Sequence, residues 1–162
     1  MTLHLKTLFM LYPKYIYTFC VIFFLDFVTK ILSKNYLSEY ESLEIIPNFF
    51  HIKLAFNEGI AFSLPVPYFL QIISGVILLG FVVYWALQYF EEVSVYEKWG
   101  VTILLSGASA NLWERIIANH VTDFIYFFYK SEAFSVGFPI FNIADIAIFC
   151  GVVLWFWGSI KK

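Results

Sequence analysis

Residues 15–32 read YIYTFCVIFFLDFVTKIL, an apolar run long enough to cross a membrane, with Asp26 and Lys30 inside it. These two residues are four apart, so they share one face of a helix and can pair there. The chain has only three aspartates and one arginine, and all four lie inside or at the edge of apolar stretches: Asp26, Asp123, Asp145 and Arg115. Ionisable groups held in hydrocarbon are costly, so these positions are candidate functional residues.

The composition of the whole chain indicates an integral membrane protein. Of its 162 residues, 61% are hydrophobic and 14% are charged, and the mean hydropathy is +0.79. An ordinary soluble domain is roughly 45 to 50% apolar and about 25% charged. The net charge of -2 gives no reason to expect a nucleic-acid partner. The length suits one bundle of about four helices, so we expect a single domain over residues 1–162.

Four apolar runs can each cross a hydrocarbon core about 30 Å thick. They are residues 15–32, 66–90, 99–117 and 138–160. An even number of spans places both termini on one side of the membrane, and lysines flank the first and last spans at Lys6, Lys14, Lys161 and Lys162. Positive residues favour the cytoplasmic side, so we expect both termini to be cytoplasmic.

The long connection at residues 36–65 is predicted to contain β-structure on the outer side of the membrane. Apolar and polar residues alternate from Phe50 to Asn57, which is the period of a half-buried strand, and a turn follows at Glu58-Gly59. An exposed strand edge cannot lie in lipid, so this strand is expected at the membrane surface. Residues 121–129 are rich in β-branched and aromatic types, which suits an interfacial position as well.

The remaining polar residues form pairs at helical spacing near the predicted outer surface. Asn111 and Arg115 are i,i+4, and Asn142 and Asp145 are i,i+3. Two carboxyl groups held close together cannot both ionise cheaply, so they share a proton and supply one base and one acid. Such a pair can hydrolyse a peptide bond with water. Asp123 and Asp145 are the natural pair, with Asp26 as an alternative third member.

Other interpretations stay open at this point. Asp26 and Lys30 can equally be a structural ion pair, and the intramembrane charges can belong to a small proton or solute carrier. No metal or other cofactor is predicted, because His4, His51 and His120 are scattered and lack the spacing of a zinc motif. Residues 107–110 resemble the nucleophile loop of rhomboid intramembrane proteases, but no histidine follows His120 to serve that nucleophile.

Five segments in order resemble the motifs of the lipoprotein signal peptidases, also called signal peptidase II. They are Asp26-Phe27-Val28-Thr29-Lys30, Asn57-Glu58-Gly59-Ile60-Ala61-Phe62-Ser63, Ser106-Gly107-Ala108-Ser109-Ala110-Asn111-Leu112-Trp113-Glu114-Arg115, Val121-Thr122-Asp123-Phe124-Ile125 and Phe138-Pro139-Ile140-Phe141-Asn142-Ile143-Ala144-Asp145. Each motif is weak alone, but five in the same order on a four-span chain are specific.

The resemblance implies an aspartic endopeptidase of the bacterial cytoplasmic (inner) membrane, with its active site near the outer leaflet. Such enzymes cut prolipoproteins before a diacylglyceryl-modified cysteine, using two aspartates and no metal. The implied catalytic residues are Asp123 and Asp145. The resemblance places the other motif residues in substrate binding or support: Asn57, Asn111, Arg115, Asn142, Asp26 and Lys30. It implies an all-α membrane protein, a four-transmembrane-helix bundle with a small β-cradle at the outer surface. We expect a monomer whose partners are its lipid-modified substrate and membrane lipids.

The sequence departs from the family pattern at four positions. Phe27 stands where glutamine is usual, Ser106 and Ala110 replace glycines, and Glu114 replaces the aspartate before Arg115. The aspartate pair is intact, so the expected reaction class is unchanged.

Overall fold

The computed structural model describes residues 13–39, 41–60, 64–130 and 134–161. Within these ranges the chain forms four helices and four strands, in the order α1 (Pro13–Tyr36), β1 (Ser42–Ile46), β2 (Phe50–Asn57), α2 (Tyr68–Tyr89), α3 (Val95–Ala118), β3 (Val121–Lys130), β4 (Ser135–Gly137) and α4 (Ile143–Ile160). Each of the four predicted apolar runs overlaps one of the four helices. Lys6 and Lys162, which entered the orientation argument, lie outside the described residues.

Three of the helices, α1, α2 and α4, are long and apolar enough to cross a membrane. Helix α3 is less apolar because it carries charged residues near both ends, including Glu97 and Arg115. It contacts each of the other three helices as well as β3. Its polar side chains can therefore face protein, while exposed aromatic and aliphatic side chains cover α1, α2 and α4. This surface is typical of a helical membrane protein.

Small residues bring α3 and α4 into close contact. A Cβ atom added to Gly151 would lie 2.6 Å from the backbone nitrogen of Leu104, and one added to Gly107 would meet the carbonyl oxygen of Ala144. Glycine lets two helix backbones approach in a membrane bundle, where packing rather than water expulsion holds helices together. The close approach places the C-terminal half of α3 against the first turn of α4.

Local signals set the ends of α3. Ser94 and Glu97 form a capping box, in which Ser94 Oγ accepts from the Glu97 N–H at 3.3 Å and Glu97 Oε2 accepts from the Ser94 N–H at 2.9 Å. The helix ends at Asn119, whose φ of 64° is left-handed and whose N–H donates to the Arg115 carbonyl at 3.0 Å.

Helix α4 begins at Ile143, five residues after the predicted start of the fourth span at Phe138. Phe138 and Phe141 form backbone hydrogen bonds with β3 instead. The Phe141 N–H donates to the Ile125 carbonyl at 3.0 Å, and the Ile125 N–H returns a bond to Phe141 at 2.8 Å. The apolar composition of residues 138–142 concealed this pairing. As a result, Asp145 lies in the first turn of α4 and not about eight residues inside a helix.

The sheet is antiparallel, with strand order β1-β2-β3-β4. The alternating segment at Phe50–Asn57 is β2, as predicted. The sheet extends beyond the predicted region at residues 36–65, because β3 and β4 come from residues 121–137. Ala55 pairs with Asp123 and Asn57 pairs with Val121. The end of β2 is thereby brought beside the start of β3, where α3 has just ended.

The close approach of α3 and α4 predicts that Gly151→Ala lowers the thermal unfolding temperature in detergent. The added methyl group meets backbone atoms that cannot move away, and overpacking of this kind costs about 1 to 3 kcal/mol. Gly80→Ala is the matched control, since a Cβ atom there meets nothing within 4 Å. Equal unfolding temperatures for the two variants would contradict the packing argument.

Candidate active site

Asn142 joins the two aspartates predicted to act together. Its side chain donates from Nδ2 to Asp123 Oδ1 at 2.6 Å. Asn142 is also the N-cap of α4: its Oδ1 accepts from the Asp145 N–H at 2.9 Å, and its own N–H donates to Asp145 Oδ2 at 3.1 Å. The spacing of three residues between Asn142 and Asp145 is thus that of a capping box. One buried asparagine orients both carboxyl groups.

Asn111 on α3 orients Asp145 from the other side. Its Nδ2 donates to Asp145 Oδ1 at 2.8 Å, and its Oδ1 accepts from Lys30 Nζ at 2.8 Å. Because an ammonium group can only donate, Lys30 fixes which end of the amide faces it. The amino end of Asn111 is therefore directed at Asp145.

Lys30 and Asp26 are buried at 3% and 1% exposure and form an ion pair of 2.7 Å. Asp26 also accepts a hydrogen bond at Oδ1 from the Ala144 N–H at 2.8 Å, so it holds the first turn of α4 against α1. Lys30 lies 3.2 Å from Glu114 as well. The pair therefore links α1 to α3 and α4, and it reaches Asp145 through Asn111.

Glu114 has a larger structural part than the sequence indicated. Its Oε1 accepts from Thr122 Oγ1 at 2.6 Å, and its Oε2 accepts from the Thr122 N–H at 3.0 Å. It also pairs with Lys34 at 3.2 Å. Glu114 therefore anchors the residue before Asp123 to α1 and α3. Its place beside Arg115 is the signal that the sequence offers for this role.

Arg115 and Asn57 hold the turn that follows β2. Arg115 Nη2 donates to the Gly59 carbonyl at 2.7 Å, and the Gly59 N–H donates to Asn57 Oδ1 at 3.0 Å. The guanidinium is close enough for its charge to interact with both aspartates. Arg115 Nε is buried with no hydrogen-bond partner in the described part of the chain. The last three residues of this motif, 61–63, lie outside the described residues.

The environment of Asp123 favours its protonated form. Burial, and after it the nearby charge of Asp145, raise the pKa of this carboxyl from 3.8 to about 7. Hydrogen bonds from Asn142 and Asn57 and the charge of Lys30 oppose the shift without cancelling it. Asp123 can therefore gain or lose a proton near neutral pH, which suits an acid–base catalyst.

The described histidine, cysteine, aspartate and glutamate residues form no group of three that could hold a metal ion. His51 and His120 lie on or beside the sheet, and both pack against aromatic rings. All eight site residues predicted from the sequence, in contrast, take part in one connected network.

Similarity to known proteins agrees with this arrangement. The sequence pattern of the family described as Signal peptidase (SPase) II matches residues 18–161. The chain belongs to the signal peptidase II family. The chain is therefore a peptidase of a family whose curated members are named lipoprotein signal peptidases.

Relatives in distant bacteria match over most of their length. The lipoprotein signal peptidase of Clostridium novyi (strain NT) is 35% identical over 132 residues, which cover 80% of this chain and 86% of that protein. That of Chlorobium luteolum is 36% identical over 136 residues, covering 80% of each. That of Pseudomonas aeruginosa (strain PAO1) is 34% identical over 143 residues, covering 83% of this chain and 80% of the relative.

Two solved structures have the same fold. Both are described as bacterial membrane enzyme structures obtained by the in meso method, one at 2.3 Å and one at 1.9 Å resolution. The first has a TM-score of 0.78 and 28% identity and covers 93% of this chain and 90% of its own. The second has a TM-score of 0.77 and 27% identity and covers 94% of this chain and 96% of its own.

The raised pKa of Asp123 predicts a pH dependence of stability. The folded protein keeps a proton on this carboxyl up to about pH 7, whereas the unfolded chain releases it near pH 4. Raising the pH through this window therefore favours the unfolded state, by at most about 1.4 kcal/mol per pH unit. We expect the unfolding temperature in detergent to fall more steeply with pH for the wild type than for Asp123→Asn. Parallel curves would show that Asp123 has an ordinary pKa.

Proposed function

We propose that the protein is a membrane aspartic endopeptidase that removes the signal peptide from diacylglyceryl-modified bacterial prolipoproteins, cutting before the lipidated cysteine. The observation that carries this proposal is the Asn142 bridge, which orients Asp123 and Asp145 toward a common site. The names of the relatives support the substrate class. The carrier alternative gains no support from the family match or from the fold.

In the proposed reaction the two carboxyl groups share one proton. The ionised carboxylate takes a proton from water while the water oxygen attacks the scissile carbonyl carbon. The protonated carboxyl gives its proton to the leaving amide nitrogen, so that the carbon–nitrogen bond breaks and a carboxyl group and an amine are formed. No covalent enzyme intermediate is needed, and the pKa of Asp123, raised to about 7, suits this exchange near neutral pH.

The other site residues are proposed to orient the dyad and the substrate. Asn111 and Asn142 hold the carboxyl groups by the hydrogen bonds already described. Asn57 and Arg115 face the peptide. Arg115 Nε, which has no partner in the described part of the chain, can donate a hydrogen bond to a substrate carbonyl. Asp26 and Lys30 support the network from α1.

We further propose that all four helices cross the bacterial cytoplasmic membrane as one domain, with both termini in the cytoplasm. In that arrangement the ends of α1 and α3 and the start of α4 lie at the outer leaflet with the sheet. The acyl chains of the substrate enter the bilayer and carry the peptide bond to the depth of the aspartates, so lipid anchoring serves as positioning. The protein is proposed to act as a monomer.

Replacing either aspartate by asparagine is expected to abolish cleavage. Asparagine keeps the shape of the side chain but can neither accept nor deliver the proton. We therefore expect kcat to fall by a factor of about 10² to 10⁴. A gel-shift assay on a diacylglyceryl-modified prolipoprotein measures this for Asp123→Asn and Asp145→Asn. Glu39→Gln changes an exposed carboxylate that takes no part in the network described above; it is the control and should cleave normally. Near-normal turnover by either aspartate variant would contradict the proposed catalytic role of the two aspartates.

Cleavage is expected to be insensitive to chelators. The proposed dyad activates water without a metal ion, and the described acidic and histidine side chains form no metal-binding cluster. The same gel-shift assay in the presence of EDTA checks this. Loss of activity that zinc restores would point to a metallopeptidase instead.

A further inference from the structure

Gln71 is the only buried residue of α2, a helix that the structure describes in full. Its side chain is 4% exposed, although the surrounding helix faces outward with exposed residues such as Leu70 and Ile73. In the sequence, Gln71 and Gln88 are two glutamines within the apolar run at residues 66–90. A buried amide on an otherwise apolar helix needs a reason, because burying polar groups is costly unless they are hydrogen-bonded.

The Gln71 side chain ties two backbone segments together. Its Nε2 donates to the Glu58 carbonyl at 2.8 Å and to the Val66 carbonyl at 2.6 Å. Since both partners are carbonyl oxygens, the amino end of the amide must face them. Gln71 thus joins the turn after β2 to the segment that leads into α2. Its Oε1 is buried without a partner in the described chain.

The turn held by Gln71 is the one that meets the site. Gly59, next to Glu58, accepts from Arg115 at 2.7 Å and donates to Asn57 at 3.0 Å. Asn57 in turn hydrogen-bonds with Asp123. A hydrogen-bonded path therefore runs from Gln71 on the lipid-facing helix to the proposed dyad.

Side-chain packing covers only part of this turn, in which Gly59 is buried. An open cavity of about 600 Å³ lies beside it, lined by residues of both tethered segments, among them Phe56, Glu58 and Pro65. The Glu58 side chain is exposed. On that open side, the Glu58–Gly59 backbone is restrained by its hydrogen bonds with Gln71, Arg115 and Asn57.

We propose that Gln71 is a positioning residue for substrate binding, which holds the Glu58–Gly59 turn so that Arg115 and Asn57 face the peptide. This inference rests on the proposed peptidase function. The unpaired Oε1 is consistent with it: an unsatisfied buried acceptor lowers stability, so the residue is poorly explained as a stabilising one. Without Gln71 the turn samples other positions, and substrate binding must restore the productive one at the expense of affinity.

The test compares Gln71→Met with Gln88→Met. Methionine has similar length and no donor, and Gln88 is the exposed glutamine near the other end of the same helix. KM and kcat are measured with the diacylglyceryl-modified prolipoprotein, alongside the unfolding temperature. Loss of two hydrogen bonds should raise KM about tenfold for Gln71→Met, with kcat within about threefold of wild type. Gln88→Met should match wild type.

The KM against kcat split separates positioning from a merely structural role. If Gln71 only supported folding, less active enzyme would remain, so apparent kcat would fall while KM stayed at the wild-type value; that result overturns the inference. Gln71→Asn, which keeps the donor on a shorter side chain, should show a smaller rise in KM. If the methionine variant does not fold, KM and kcat of Gln71→Asn are compared with those of wild type instead.

Failure of the proposed function gives a different pattern. If wild type and Gln88→Met both fail to cleave the lipoprotein, the peptidase proposal falls and this inference falls with it. If both cleave and Gln71→Met and Gln71→Asn bind substrate with wild-type KM, only the inference about Gln71 is wrong.

Discussion

The ammonium group of Lys30 is the constraint on which the site depends. A buried charge is tolerated only when each of its hydrogen-bonding positions is satisfied, because desolvation otherwise outweighs any attraction. Lys30 meets Asp26, Asn111 and Glu114 at 2.7, 2.8 and 3.2 Å. Each of these three residues makes a further hydrogen bond. Asp26 accepts from the Ala144 N–H, Asn111 donates to Asp145, and Glu114 accepts from the Thr122 N–H. Satisfying one cation therefore positions the start of α4 and the strand that carries Asp123.

Close backbone packing makes this network possible. Asn111 can reach Asp145 only because Gly107 and Gly151 let α3 and α4 approach at the distances where a larger side chain would collide. Ser106, which departs from the family pattern, adds a contact of its own by donating to the Phe19 carbonyl at 2.7 Å. The departure therefore has a structural explanation: the hydroxyl replaces close glycine packing with an interhelical hydrogen bond between α3 and α1.

The sheet contributes one wall of the site. Pairing of β2 with β3 places Asn57 near Asp123, and the bond from Arg115 to Gly59 joins the turn after β2 to α3. Helix α2, which contacts the rest of the described chain mainly through α3, reaches the same turn through Gln71. Residues from the helices and from the sheet thus converge on one pair of carboxyl groups, even though only α4 and β3 carry them.

The sequence by itself determined the membrane class, the approximate positions of the four helices and the strand at Phe50–Asn57, because hydropathy and alternation are local properties of the chain. Scarcity of charge also singled out the aspartates. Only the tertiary structure decided that α4 starts at Ile143, since pairing of Phe141 with β3 competes with helix formation. The tertiary structure also decided the hydrogen-bond partners of the polar groups. Asn111 and Lys30 are 81 positions apart in the chain, and Ala144 and Asp26 are 118 positions apart. Contacts at such separations depend on how helices pack, which no local pattern encodes.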